Sequence, residues 1–261
     1  MQTYFPVLNV LGIMLMLFGL VMGFPLVVSF ARDDGATAAY DLAILATFAS
    51  GLLMWAGTRG AKRDLRVSDG FLLVAATWLL TPVFGALPLM LYLPELSFTD
   101  AYFEATSGLT TTGATVLTGL DALPVSINLW RCFMHWIGGM GVIVLMVAVL
   151  PLLGIGGRQI FRAETPGPMK ESSLTPRIAE TAKGLWLVYV LLTVACAGAL
   201  WQVGMDPWEA LIHAFSIMGL GGFSTRDASL GTFATVPIES VTVVFLSVYL
   251  IEAGAYHDGA L

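Results

Sequence analysis

Six stretches of this chain are apolar and uncharged over a length that can cross a bilayer, and they limit its class before any motif is read. Met1–Ala31 carries no charged side chain, nor do Leu42 up to Arg59, Gly70–Pro94, Cys132–Gly157 and Gly184–Met205, while Gly231–Ile251 is broken only by Glu239. About 20 apolar residues in a helix cover the roughly 30 Å of hydrocarbon in a membrane, so each run is a spanning candidate. The first is not expected to be a cleaved signal peptide, because it lacks a basic leading segment and is longer than the roughly 7–15 residues of a signal's apolar core. Charged residues make up 11% of the 261, against about 25% in soluble domains. Too few remain to solvate a globule, which excludes an ordinary cytosolic enzyme or a disordered protein. The net charge of −6 offers no footprint for nucleic acid. Cys132 and Cys196 both sit inside apolar runs and are not expected to form a disulfide framework.

Basic residues orient the spans. Arg59, Lys62, Arg63 and Arg66 fall in the loop after the second run, and Arg158, Arg162, Lys170, Arg177 and Lys183 in the loop after the fourth. Both loops follow an even-numbered span and therefore share one side, which the positive-inside rule makes cytoplasmic. The opposite loops hold mainly acids: Asp33, Asp34, Glu95, Asp121 and Asp206. Both termini are thus expected on the cytoplasmic side.

Two further segments fit neither a span nor an ordinary loop. Phe98–Thr115 aligns without a gap on Pro207–Ser224 at an offset of 109, matching Ala101 to Ala210, Ala105 to Ala214, Ser107 to Ser216 and Gly113 to Gly222. Each copy is flanked by a long apolar run on either side, as expected of an internally repeated channel or transporter. The pattern predicts a short helix, entered through Asp100 or Asp206-Pro207, and then a stretch that disfavours helix. That stretch is Thr110-Thr-Thr-Gly-Ala-Thr115 in the first copy. Irregular backbone at membrane depth must be buried in protein or line a water-filled path. Its carbonyl oxygens can there replace the hydration shell of an alkali cation. Gly113 and Gly222 can take positive φ and turn successive carbonyls to one side, and the C-terminal end of each short helix favours a cation. A plain Thr/Gly helix-packing patch is the alternative for Thr111–Gly113 and for Leu220–Gly222.

Ser107-Gly-Leu-Thr-Thr-Thr-Gly-Ala-Thr115, Trp136-Ile-Gly-Gly-Met-Gly141, Arg162-Ala-Glu-Thr-Pro-Gly-Pro168, Leu174-Thr-Pro-Arg-Ile-Ala-Glu180 and Gly221-Gly-Phe-Ser-Thr225 together resemble the Trk-type potassium-uptake subunits, the TrkH/TrkG members of the Trk/Ktr/HKT superfamily. The resemblance runs from the first run to about Gly231. It implies an all-α polytopic membrane protein of the bacterial inner membrane, with two leading helices followed by helix–pore loop–helix repeats. Potassium would be the transported ligand, with no cofactor and no catalytic residue. The resemblance assigns its coordination to backbone of Thr111, Thr112, Gly113, Leu220, Gly221 and Gly222. It associates glycine at the first filter position with potassium preference, and serine there with sodium permeation. It also implies a cytosolic nucleotide-binding regulatory subunit (TrkA-like) and a homodimer of the full-length protein. Family members have four pore loops and this sequence has two, so it resembles the N-terminal half; Ser247–Leu261 departs from the family's continuation, as a truncation or frameshift would make it. Arg226 stands where histidine is expected in many relatives.

The segments then read as leading helices with a cytoplasmic loop over 1–69, a first repeat over 70–157, a cytoplasmic loop over 158–183, a second repeat over 184–256 and a tail over 257–261. Within the apolar zone, Glu104 and Arg131 are expected to form an ion pair bracing the filter, and His213, aligned with Glu104, to be a hydrogen-bonded brace. A hydrolytic metal site from His135, His213 and Glu104 lacks ligand spacing, which argues against a membrane-embedded hydrolase. Gly138, Gly139 and Gly141 fit a gating hinge or close helix packing. The tryptophans mostly lie near span ends, as an aromatic belt would place them. A truncated, non-conducting fragment of a Trk-type subunit stays open as the second reading.

Overall fold

The structure is a computed structural model that describes residues 4–60, 67–149, 174–233 and 235–257, and these are helical with no strand among them. Its helices are α1 (Phe5–Val21), α2 (Gly23–Arg32), α3 (Thr37–Thr58), α4 (Val67–Gly85), α5 (Leu87–Tyr92), α6 (Phe98–Leu109), α7 (Val125–Val149), α8 (Leu174–Gln202), α9 (Pro207–Met218) and α10 (Val236–His257). Phe5–Arg32, Thr37–Thr58, Asp69–Tyr92 and Lys183–Gln202 are long and apolar enough to cross a membrane. They fall on four of the six expected runs. The other two coincide with α7 and α10, whose far ends pass outside the residues described in side-chain detail. Most of both basic loops and the residues after His257 also lie outside the described residues.

Prolines set the breaks in the leading spans. Pro25 has no N–H to donate to the carbonyl four residues earlier, and α1 gives way to α2 at Met22. Pro88 does the same four residues after Phe84, and α4 passes into α5 across Ala86. The carbonyl of Gly85 beside this second break accepts the Trp130 indole N–H at 2.9 Å. Glycine decides how closely α1 and α3 cross: a Cβ on Gly12 would meet the Gly51 carbonyl oxygen at 2.7 Å, and one on Gly51 the Gly12 oxygen at 2.6 Å. Such small-residue crossings are how helices pack where lipid removes the hydrophobic drive.

The leading helices then fix the start of α7. The Tyr40 hydroxyl donates to the Ser126 carbonyl at 2.8 Å, and the Asp34 carboxylate accepts the Ser126 N–H at 3.0 Å. Partial burial works against the charge on Asp34, but hydrogen bonds from Ser29, Ser126 and Ala36 outweigh it and hold its pKa below the ordinary value. A carboxylate here also complements the positive end of α7. The resulting core contains Trp130, Phe133, Phe215 and Phe223 around α7 and α9.

Candidate functional site

The two short helices are copies at the backbone level. α6 and α9 each have 12 residues, and their bounds differ by the same offset of 109 that aligns the sequences. Their N-termini differ from expectation in one place. Asp206 caps α9 by accepting the N–H groups of Trp208 and Glu209, with Pro207 in the first turn. α6 begins earlier than its Asp100 predicts, because Ser97 is the cap and accepts the Asp100 N–H at 3.1 Å.

Their C-termini explain the loops. Thr111 N–H bonds to the Gly108 carbonyl at 3.1 Å and Thr112 N–H to that of Ser107 at 2.9 Å; Leu220 N–H bonds to Ile217 and Gly221 N–H to Ser216, both at 3.0 Å. This pair of bonds is the Schellman helix ending, which needs a left-handed residue just past the cap, usually glycine. Here that residue is Thr111, with φ 55°, or Leu220, with φ 54°. Holding a side chain there costs on the order of 1 kcal/mol or more. Two residues on, Gly113 and Gly222 are left-handed again, with φ 76° and 100°. Thr112 and Gly221 between them are not, so positive φ recurs at every second residue of each loop.

The loops meet each other and rest on α7. A Cβ on Gly113 would lie 1.9 Å from the Gly221 carbonyl oxygen, and one on Gly221 would lie 1.9 Å from His135 Nδ1. His135 is buried, stacks on Phe223 with ring centres 4.1 Å apart, and shares a hydrogen bond with the Ser216 hydroxyl at 3.3 Å. Ser216 Oγ in turn accepts the Gly222 N–H at 3.1 Å. Gly138 lets the Leu109 carbonyl approach to 1.9 Å of where a Cβ would stand, and a Cβ on Gly139 would stand 2.9 Å from the Tyr189 hydroxyl and 3.0 Å from Gly219 Cα, whereas one on Gly141 would meet nothing within 4 Å. Close packing therefore accounts for the first two glycines.

Behind the first loop lies a buried ion pair. Glu104 and Arg131 are both 0% exposed, and Arg131 Nη2 stands 2.7 Å from Glu104 Oε1. The carboxylate also accepts the Thr115 hydroxyl at 2.9 Å and the Val116 N–H at 3.1 Å. Arg131 spends its remaining donors on the Thr115 hydroxyl at 3.2 Å, Asn128 Oδ1 at 3.1 Å and the Ser224 carbonyl at 3.0 Å. Behind the second loop, His213 Nδ1 donates to the Glu209 carbonyl at 2.8 Å, which leaves Nε2 to accept the Ser224 hydroxyl at 3.0 Å. Glu104–Thr115 and His213–Ser224 are counterparts at the 109-residue offset.

A second network ties the far ends of the loops. Arg226 reaches Glu209 at 2.8 Å and Asp121 at 3.2 Å. Asp227 accepts the N–H groups of Gly119 and Leu120 at 3.0 and 3.1 Å, and Asp121 accepts the Asp227 N–H at 3.1 Å. Glu209 also accepts the Thr225 hydroxyl. The Asp227 N–H and the Arg226 guanidinium hold the Asp121 pKa below its ordinary value, and Asp121 with Glu209 raises that of Arg226.

Glu104, His135 and His213 do not converge, since each has the separate partners above, and no group of three potential metal ligands occurs among the described residues. Trp130 corrects the aromatic-belt expectation: it is fully buried with its N–H on Gly85, and Trp136 donates to Thr193 at 2.9 Å inside an aromatic cluster. Sequence reasoning missed the left-handed Thr111 and Leu220 and the reach of Arg131 to Ser224.

The family model for TrkH, described as "Cation transport protein", matches residues 36–251. The chain belongs to the TrkH family. The match continues to Ile251, past the Gly231 where the motif resemblance stops. The chain is 48% identical over 241 residues to the Trk system potassium uptake protein TrkH of Vibrio parahaemolyticus, covering 92% of this chain and 50% of that one. It is 40% identical over 240 residues to TrkG of Escherichia coli, with the same shares. The crystal structure of the potassium transporter TrkH from Vibrio parahaemolyticus superposes with a TM-score of 0.84 at 41% identity, over 99% of this chain and 53% of the other. The chain thus spans about half the length of the TrkH relatives it matches.

Proposed function

We propose that this TrkH-family chain supplies part of a potassium-selective path across the membrane, with the loops after α6 and α9 re-entering the bilayer as its filter. The observation that carries this reading is the duplicated turn with positive φ at Thr111 and Gly113 and at Leu220 and Gly222. Positive φ at alternate residues can turn carbonyls to one side, where they would replace the water around a dehydrated cation. The Schellman ending accounts for a left-handed residue at each site; that both copies put a side chain there rather than glycine is the cost that helix packing gives no reason to bear. Thr111, Thr112, Gly113, Leu220, Gly221 and Gly222 are the proposed ligating backbone, and Glu104 with Arg131 is the proposed brace. The relatives named as potassium uptake proteins support potassium as the ion.

The same reading takes α7 and α10 as the fifth and sixth spans and both termini as cytoplasmic, in the inner membrane. It keeps the division into leading helices, two repeats and the loop over 158–183, which would receive a nucleotide-binding regulatory subunit. No covalent step is involved. The test is potassium flux in proteoliposomes, measured for the chain alone and for the chain continued by the C-terminal half of Vibrio parahaemolyticus TrkH. Flux from the fusion alone assigns this chain half of the pore and makes it non-conducting by itself. Silence from both, with folding intact, refutes the reading. In the conducting form Gly113→Ser should raise sodium permeability relative to potassium; an unchanged ratio removes Gly113 from the filter.

A further inference from the structure

The repeat copies its backbone more faithfully than its charges. At the 109-residue offset Glu104 becomes His213 and Thr115 becomes Ser224. The second loop is two residues longer, so the helices that follow, α7 from Val125 and α10 from Val236, correspond at an offset of 111, and Arg131 becomes Thr242. Thr242 is buried, and its hydroxyl donates to the Ile238 carbonyl of its own helix at 2.9 Å. The second repeat therefore has no cation at the position from which Arg131 braces the first.

Its loop borrows the first repeat's. Arg131 Nε and Nη2 face Glu104, while Nη1 crosses to the Ser224 carbonyl at 3.0 Å. Its guanidinium carbon lies 4.5 Å from the centre of the Phe223 ring, one residue past Gly222. An arginine has five donors in a fixed planar fork, so one side chain can hold acceptors in two directions at once. A second buried guanidinium would need a second buried carboxylate, and burying another charged pair carries a large desolvation cost. His213 serves the second loop through hydrogen bonds to the Glu209 carbonyl and the Ser224 hydroxyl, while the guanidinium comes from across the interface.

We infer that Arg131 is the shared positioning residue of both loops, setting the second loop through the Ser224 carbonyl as well as the first through Glu104 and Thr115. The inference rests on the reading of these loops as an ion-binding filter, and it adds that their spacing depends on one guanidinium. A single ammonium cannot reproduce the two-sided grip. Arg131→Lys therefore keeps a cation beside Glu104 and releases Ser224, and the paired change Arg131→Gln with Glu104→Gln removes both grips without leaving a lone buried charge.

Hydrogen–deuterium exchange on the purified full chain in nanodiscs tests this without a transport assay. The amides of Thr111, Thr112, Val116, Leu220, Gly221 and Gly222 all make hydrogen bonds that report local opening. Arg131→Lys should speed exchange over 219–226 at least about tenfold, the scale of a lost charge-assisted hydrogen bond, and change 111–117 much less. The paired glutamine variant should speed both segments. Exchange over 219–226 at the wild-type rate in either folded variant overturns the shared role. Should the lysine variant not fold, the glutamine pair decides by the same criterion. The chain continued by the C-terminal half of Vibrio parahaemolyticus TrkH, compared in potassium chloride and choline chloride, tests the filter separately: equal exchange over 111–117 and 219–226 in both salts refutes ion binding by the loops and leaves the Arg131 result to stand on its own.

Discussion

Arg131 is fully buried and holds Glu104 at 2.7 Å; Arg226 is one-third exposed and holds Glu209 at 2.8 Å and Asp121 at 3.2 Å. Both guanidiniums join the first repeat to the second, one behind the loops and the other at their far ends. The surroundings separate them. In the interior a charge that loses its partner has no water to turn to, so each member of the pair is indispensable to the other. At the rim, water and salt replace whatever is removed. Similar chemistry thus serves as a rigid mount in one place and a replaceable tie in the other.

Four changes test how deep that difference runs. Glu104→Ala strands Arg131 and the Thr115 and Val116 donors, and should cost about 3–5 kcal/mol, read as the shift of the unfolding midpoint in a detergent titration. Glu209→Ala is intermediate, because Glu209 is 18% exposed but leaves the buried Thr225 hydroxyl unpartnered; a loss of about 1–3 kcal/mol is expected in the same titration. Arg226→Ala should cost less than about 1 kcal/mol, and the difference from wild type should shrink further at high salt. A loss as large as that of Glu104→Ala would show that the rim is as dry as the interior. The smallest effect comes from acid. Asp121 has a folded pKa below 3.8, so its contribution is complete above that value and fades as pH drops through the folded pKa. The NMR shift of the Asp227 amide, which Asp121 accepts, should titrate in that acid range and not between pH 5 and 8.

Much of this architecture was legible in the sequence because its signals are local or periodic. Long uncharged runs announce the four apolar spans, and Asp206-Pro207 announces the start of α9. Glu104 and Arg131 stood out because ionisable groups in apolar surroundings call for a partner. The turn at Thr111 and Leu220 was hidden for the opposite reason. A Schellman ending is recognised by glycine at the left-handed position, and here the glycine sits two residues later. The bond from Arg131 to Ser224 leaves no trace in composition, since its acceptor is a backbone carbonyl common to every residue type. Ser97 displaced Asp100 as the cap because the last unrestrained oxygen before the helix, not the strongest acid near it, meets the free N–H groups.

The position of Arg131 along the chain also bears on how the protein enters the membrane. Glu104 is translated first, its counter-charge follows 27 residues later, and the Ser224 carbonyl comes 93 residues after that. A carboxylate bound for an anhydrous site is costly to release into lipid before its cation exists. Insertion of Glu104 and Arg131 as a pair avoids that cost. The Nη1 donor then waits through the synthesis of α8 and α9 until the second loop arrives. The Arg131–Ser224 bond, one of several between the two repeats, is in this sense a late step of biogenesis, and a chain that stalls before residue 224 carries a mark of incompleteness: a buried donor still looking for its oxygen.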